Sequence, residues 1–132
     1  MTTPSGNLGE AIGDSFIDIE NINGSEFDDV LEGDTGDNGL SGGAGDDTLN
    51  GGDGADVLTG GAGRDVLNGG AGIDTADYSS ADASVRASLT TPSGNLGDAA
   101  GDSFIDIENL TGSEFDDILV GDTGNNLSLI HI

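Results

Sequence analysis

The chain has 132 residues, with 26 acidic side chains against two arginines and no lysine, giving a formal net charge of −24; 33% of residues are hydrophobic, 4% aromatic and none is cysteine. Disulfides and thiolate metal sites are therefore excluded, nucleic acid finds no basic surface to neutralise its phosphates, and an anionic membrane surface repels the chain. Such a composition supports only a thin core, and without counter-ions self-repulsion expands it.

The N-terminal MTTPSGNLGEAIGD has neither a basic nor an apolar run, so no cleavable leader is expected there. No apolar stretch is long enough for a membrane-spanning helix. Residues 1–23 are read as a partial inter-block segment. TTPSGNLG makes a turn or loop, and Phe16, Ile17, Ile19 and Ile22 in the following GDSFIDIEN are expected to form a short strand.

Residues 24–77 form a block of nonapeptides. GSEFDDVLE (24–32) keeps Gly first, Asp29 sixth and Leu31 eighth but lacks the second and fourth glycines, so it is read as degenerate. GDTGDNGLS (33–41) has Gly33, Gly36 and Leu40, with Asn38 in the sixth place. The full repeats occupy 42–77 and read GGAGDDTLN, GGDGADVLT, GGAGRDVLN and GGAGIDTAD. Their first, second and fourth places are Gly42, Gly43 and Gly45, then Gly51, Gly52 and Gly54, then Gly60, Gly61 and Gly63, then Gly69, Gly70 and Gly72; the sixth places are Asp47, Asp56, Asp65 and Asp74.

Repetition at a fixed short period marks a solenoid. Three glycines per unit would cost a helix about 1 kcal/mol each, so the repeat is β. Glycine permits the tight turn and clears side chains from converging carbonyls. Asp adds a charged oxygen, and carbonyls with carboxylates suit a hard cation of calcium's size. Gly-Asp is also ordinary turn chemistry, but a turn alone does not require Asp at the same sixth place each time. Leu49, Val57, Leu58, Val66 and Leu67 are the candidate core.

These units resemble the glycine-rich nonapeptide GGxGxDxUx of the RTX, or hemolysin-type, calcium-binding proteins. The resemblance implies an all-β, right-handed parallel β-roll, a β-solenoid with two nonapeptides per coil and Ca²⁺ held by glycine-rich turns that stack on one edge. On it, Asp47, Asp56, Asp65 and Asp74 with the glycines named above, and Asn38, Gly33 and Gly36, are metal residues; turns two units apart share an ion, and Asn38 and Asp56 frame a weaker third position. Asp46, in the variable fifth place, is expected to face solvent. The resemblance also implies a bacterial, extracellular protein, secreted or on the cell surface.

Residues 78–111 are read as an inter-block strand and loop segment. Ala83, Val85, Ala87 and Leu89 alternate with polar residues, which suggests a longer strand, and Tyr78 is a packing residue at its start. Residues 90–126 repeat 2–38 at an offset of 88 with seven differences, so 112–126 open a second block. In the second copy Phe104, Ile105, Ile107 and Leu110 repeat the apolar set of the first. LSLIHI (127–132) departs from the copy; it resembles translated sequencing-adapter sequence and is read as a non-native tail, the alternative being an apolar terminal strand. His131, the sole histidine, is given no role.

With no cysteine and that one histidine, the chain supplies neither a Ser-His-Asp or Cys-His set nor a histidine zinc site. No twelve-residue calcium loop of the helix-loop-helix kind occurs, and the glycine loops lack a P-loop lysine. The expected activity is Ca²⁺ binding coupled to folding, without catalysis. Two contexts stay open: a calcium-binding appendix of a secreted protease or lipase, and a spacer in a large repeat adhesin.

Overall fold

The computed structural model describes residues 19–124 and 126–129. Its strands are short and parallel: β1 (Asn21–Asn23), β2 (Val30–Glu32), β3 (Gly39–Ala44), β4 (Thr48–Gly54), β5 (Val57–Ala62), β6 (Val66–Gly72), β7 (Thr75–Asp77), β8 (Arg86–Ser88), β9 (Ser103–Ile105), β10 (Asn109–Thr111), β11 (Ile118–Val120) and β12 (Leu127–Leu129). They stack as a six-stranded sheet in the order β1-β3-β5-β7-β10-β12, a four-stranded sheet β2-β4-β6-β9, and a separate pair β11-β8. The protein is a β-solenoid.

Consecutive strands pair with strands one coil away and not with each other, because each nine-residue unit turns the chain to the opposite sheet. Leu40 lies against Leu58 and Leu49 against Leu67, so one coil is two nonapeptides. The eighth-place residues point inward and form two stacks. Leu40, Leu58, Ala76 and Leu110 are buried on one sheet and Leu31, Leu49 and Leu67 on the other. A fully buried leucine contributes about 1.5–3 kcal/mol, and with one such residue per strand the core is narrow. The candidate core needs one correction: Val57 is 43% exposed and Val66 only half-buried. Both stand in the seventh place, which the two-residue period of a strand turns outward.

After β7 the chain leaves the coil. Residues 78–102 carry β8 and two short 3-10 turns, Pro92–Gly94 and Gly97–Ala99, before β9 rejoins the stack on β6. The alternation at 83–89 therefore yields three strand residues and not a longer strand. Val85 and Ala87 are buried, Ala83 and Ser84 exposed. β8 has a parallel partner only in β11, and its other edge is held by an antiparallel bridge between Arg86 and Leu96.

The apolar set of the second copy likewise divides. Phe104 and Ile105 belong to β9 and Leu110 to β10, and the chain bends between them at Asp106, whose φ is +48°. In the first copy Phe16 and Ile17 lie outside the described residues, Ile22 is in β1 and Ile19 is exposed.

β10 pairs with both β7 and β12, and its register on β12 (Asn109 against Leu127) repeats that of β1 on β3 (Asn21 against Gly39). The second copy thus stacks directly on the first within one sheet. Among the described residues no helix is long and apolar enough to cross a membrane.

Candidate metal centre

The glycine turns line the two edges of the solenoid, and each sixth-place residue sits at the corner where its turn enters the next strand. The corners form two columns. In the first, the Asp29 amide donates to Asp47 Oδ1 at 2.8 Å, the Asp47 amide to Asp65 Oδ1 at 2.9 Å, and the Asp65 amide to Asp102 Oδ1 at 2.9 Å. In the second, the Asn38 amide donates to Asp56 Oδ1 at 2.8 Å, the Asp56 amide to Asp74 Oδ1 at 2.8 Å, and the Asp74 amide to Glu108 Oε2 at 2.9 Å. One carboxylate oxygen per corner is thereby spent on the backbone of the neighbouring coil.

The other oxygen is not. Oδ2 of Asp47, Asp56, Asp65 and Asp74 is buried and accepts no hydrogen bond. A buried, unpartnered carboxylate oxygen is costly, and four at equivalent places are a property of the repeat. The surroundings offer no donor. A Cβ on Gly42 would collide with Asp47 Oδ2 and approach the Gly60 carbonyl at 2.7 Å; one on Gly51 would meet Asp56 Oδ2 and the Gly69 carbonyl, and one on Gly69 would meet the Asp106 carbonyl and Asp74 Oδ2. The first-place glycines keep open a cradle whose walls are oxygen.

The second place satisfies the acid in some turns but not in every degenerate one: Ser113 donates to Asp117 Oδ1, and Asp117 Oδ2 stays buried without a partner. In the first degenerate turn Ser25 donates its amide to Asp29 Oδ2 at 2.6 Å, and its hydroxyl at 2.8 Å. In the next unit the Asp34 amide donates to Asn38 Oδ1 at 2.7 Å. In the full repeats that place is Gly43, Gly52, Gly61 or Gly70, with φ between +98° and +114°, and no amide reaches Oδ2. The fourth-place glycines, Gly45, Gly54, Gly63 and Gly72, also have positive φ and each lies against the backbone of the coil before it. Gly33 borders Asn38 Oδ1 and the Gly51 carbonyl, while Gly36 supplies the carbonyl beneath Gly54.

Burial raises the Asp47, Asp56 and Asp74 carboxyls above the ordinary range, and it pushes Asp65 up to about 7. Asp46 behaves differently. It is exposed, accepts the Arg64 guanidinium at 2.7 Å, and is held below the usual range by that pairing.

Two column members escape the nonapeptide pattern, Asp102 and Glu108. Both follow the excursion, so counting by nines misses them. The signal that finds them is an acid two residues before an inward side chain: Asp102 before Phe104 and Glu108 before Leu110, as Asp47 before Leu49. The Tyr78 hydroxyl, which donates to Asp102 Oδ2 at 2.7 Å, was legible only as packing.

Among the described residues no three His, Cys, Asp or Glu side chains converge on one point. The groups available to a cation here are accordingly one or two carboxylates together with backbone carbonyls. An oxygen-only donor set with unpartnered carboxylate oxygens and side-chain-free cradles fits Ca²⁺. When bound, the ion supplies the positive charge that these oxygens lack.

The family model for the RTX calcium-binding nonapeptide repeat (4 copies) matches residues 16–49, 41–76 and 101–127. The chain belongs to that calcium-binding family. No curated protein is similar enough to match.

Proposed function

We propose that Ca²⁺ binds between stacked turns, with Asp47 and Asp65 serving one edge and Asp56 and Asp74 the other, and that this binding drives folding. The observation that carries the reading is that all four full repeats hold a buried Oδ2 without a partner. Each pair is aided by the first-place carbonyls beside it. The Asn38 position is weaker, because its side chain is neutral and its oxygen already accepts the Asp34 amide.

With net charge −24 and one inward residue per strand, the ion-free fold has little to oppose its own repulsion. Binding to the folded state alone then stabilises it by mass action. Extracellular calcium modules commonly bind at about 10⁻⁴ to 10⁻³ M, so export into calcium-rich surroundings would switch folding on. A secreted or cell-surface protein is the setting that this reading supports, with the module serving as a calcium-binding element.

Far-UV circular dichroism in chelator and then in millimolar Ca²⁺ tests the coupling. The spectrum should change from disordered to β-rich, with Mg²⁺ a poor substitute because it demands octahedral geometry and sheds water reluctantly. An unchanged spectrum would reject it.

Of the two contexts for the whole protein, a spacer built from many copies is favoured over an enzyme's appendix. The second copy stacks on the first through β7, β10 and β12 in one continuous sheet, so further copies could add without a new interface. The full-length coding sequence decides: an upstream catalytic motif supports the appendix, and many more copies the spacer.

A further inference from the structure

The first carboxylate column has a closed end. At its start Asp29 Oδ2 is satisfied by Ser25 within its own turn. Asp47 and Asp65 follow with Oδ2 unpartnered. At Asp102, the next member, the pattern changes again: Oδ1 accepts the Asp65 amide as the column requires, but Oδ2 accepts the Tyr78 hydroxyl. Asp102 is 1% exposed and Tyr78 2%, so water is no alternative partner. The bond measures 2.7 Å, the short range of a hydroxyl donating to a carboxylate.

Tyr78 is the first residue after β7, where the nine-residue beat breaks. The excursion it opens brings back Asp102 24 residues later. One segment thus delivers both the next acid of the column and the donor that occupies it.

We propose that Tyr78 terminates the first cation column. Its hydroxyl takes the oxygen that Asp47 and Asp65 leave open, so the column accepts no ion beyond Asp65. The inference rests on the reading of Asp47 and Asp65 as ligands. Asp102, although buried and in register, is a structural acid and not a ligand, and the break in the repeat sets how many ions each copy takes.

Calorimetric titration of the full chain with Ca²⁺ tests this in the parent and in Tyr78→Phe, Asp102→Asn and Asp65→Asn. Asp65→Asn should bind fewer ions than the parent, and Asp102→Asn the same number. Tyr78→Phe should gain one ion, because Asp102 Oδ2 is then as open as Asp65 Oδ2. Tyrosine emission gives a second readout, since Tyr78 is the only tyrosine and the chain has no tryptophan. A phenol bonded to a carboxylate is quenched, so emission should stay low in the calcium-saturated parent and rise in Asp102→Asn.

An ion lost in Asp102→Asn, an unchanged count in folded Tyr78→Phe, or emission that rises as the parent takes up calcium would each overturn the proposal. If Tyr78→Phe does not fold, Asp102→Asn and the parent's emission still decide. A parent that binds no calcium would instead reject the underlying ligand assignment.

Discussion

Asp47 and Asp65 lie one coil apart, the amide of the first bonded to Oδ1 of the second at 2.9 Å, and both keep a buried Oδ2 without a partner. Asp46, the immediate neighbour of Asp47, instead faces solvent and pairs with Arg64. Adjacent acids in one turn therefore have opposite surroundings. Asp65→Ala removes a candidate ligand and strands the buried Asp47 amide, a loss of about 1–3 kcal/mol. It should lower calcium stoichiometry and raise the calcium concentration at half-folding. Asp46→Ala should do neither, since an exposed pair contributes little and removing an acid also relieves repulsion. Calorimetry on both variants distinguishes the two, and equal losses would mean that bulk charge governs binding.

Glycine in the second place is a stronger requirement than its abundance suggests. Gly61 has φ +101°, and a Cβ there would collide with the Gly43 carbonyl of the preceding coil. Gly61→Ala should destabilise the calcium-loaded fold by about 1–3 kcal/mol from the backbone conformation alone. Gly36 is the control, because a Cβ there meets nothing closer than Asp34 Oδ1 at 3.4 Å. Gly36→Ala should leave the thermal midpoint in calcium nearly unaltered. Equal midpoints for the two variants would show that the turn can relax around a side chain.

The parts of the fold legible in the sequence are those where local period and tertiary register coincide. A fixed nine-residue beat leaves little freedom: Leu40 on Leu58 and Leu49 on Leu67 follow from spacing once the coil is closed. Beyond Asp77 the register is set by tertiary packing, and periodicity misled. The alternation at Ala83–Leu89 is real, but only Arg86–Ser88 finds a neighbour to pair with. Asp102 and Glu108 rejoin their columns at separations of 37 and 34 residues instead of 18. Val57 is apolar, as a core residue would be, but its seventh place faces outward.

The terminal hexapeptide offers a separate test. Leu127–Leu129 forms β12 on the edge of β10, where Gly39–Ser41 sits on β1, and Leu127 is 55% exposed. Its removal uncovers one strand edge and leaves the four carboxylates of the full repeats in place. Deleting 127–132 should therefore leave calcium stoichiometry unchanged and the folding midpoint nearly so. A large loss of calcium-dependent β-structure would make the tail a genuine cap of the stack.

The pH response of the calcium-free chain follows from the buried acids. Burial pushes Asp65 up to about 7 and Asp102 up to about 6, from an ordinary 3.8. Asp47, Asp56 and Asp74 move in the same direction. Folded chain consequently holds more protons than unfolded chain between those limits, and stability falls as pH rises through the window. In chelator, β-structure should be greater near about pH 5.5 than near about pH 8, because protons do part of what the cation does. With calcium present the competition runs the other way. Binding requires the ionised form, so the half-saturating calcium concentration should rise as pH falls below about 7. Circular dichroism across this range, with and without the ion, checks both arms. Calcium-free β-content that is flat or greater at alkaline pH would show that these carboxylates are not buried before the ion arrives.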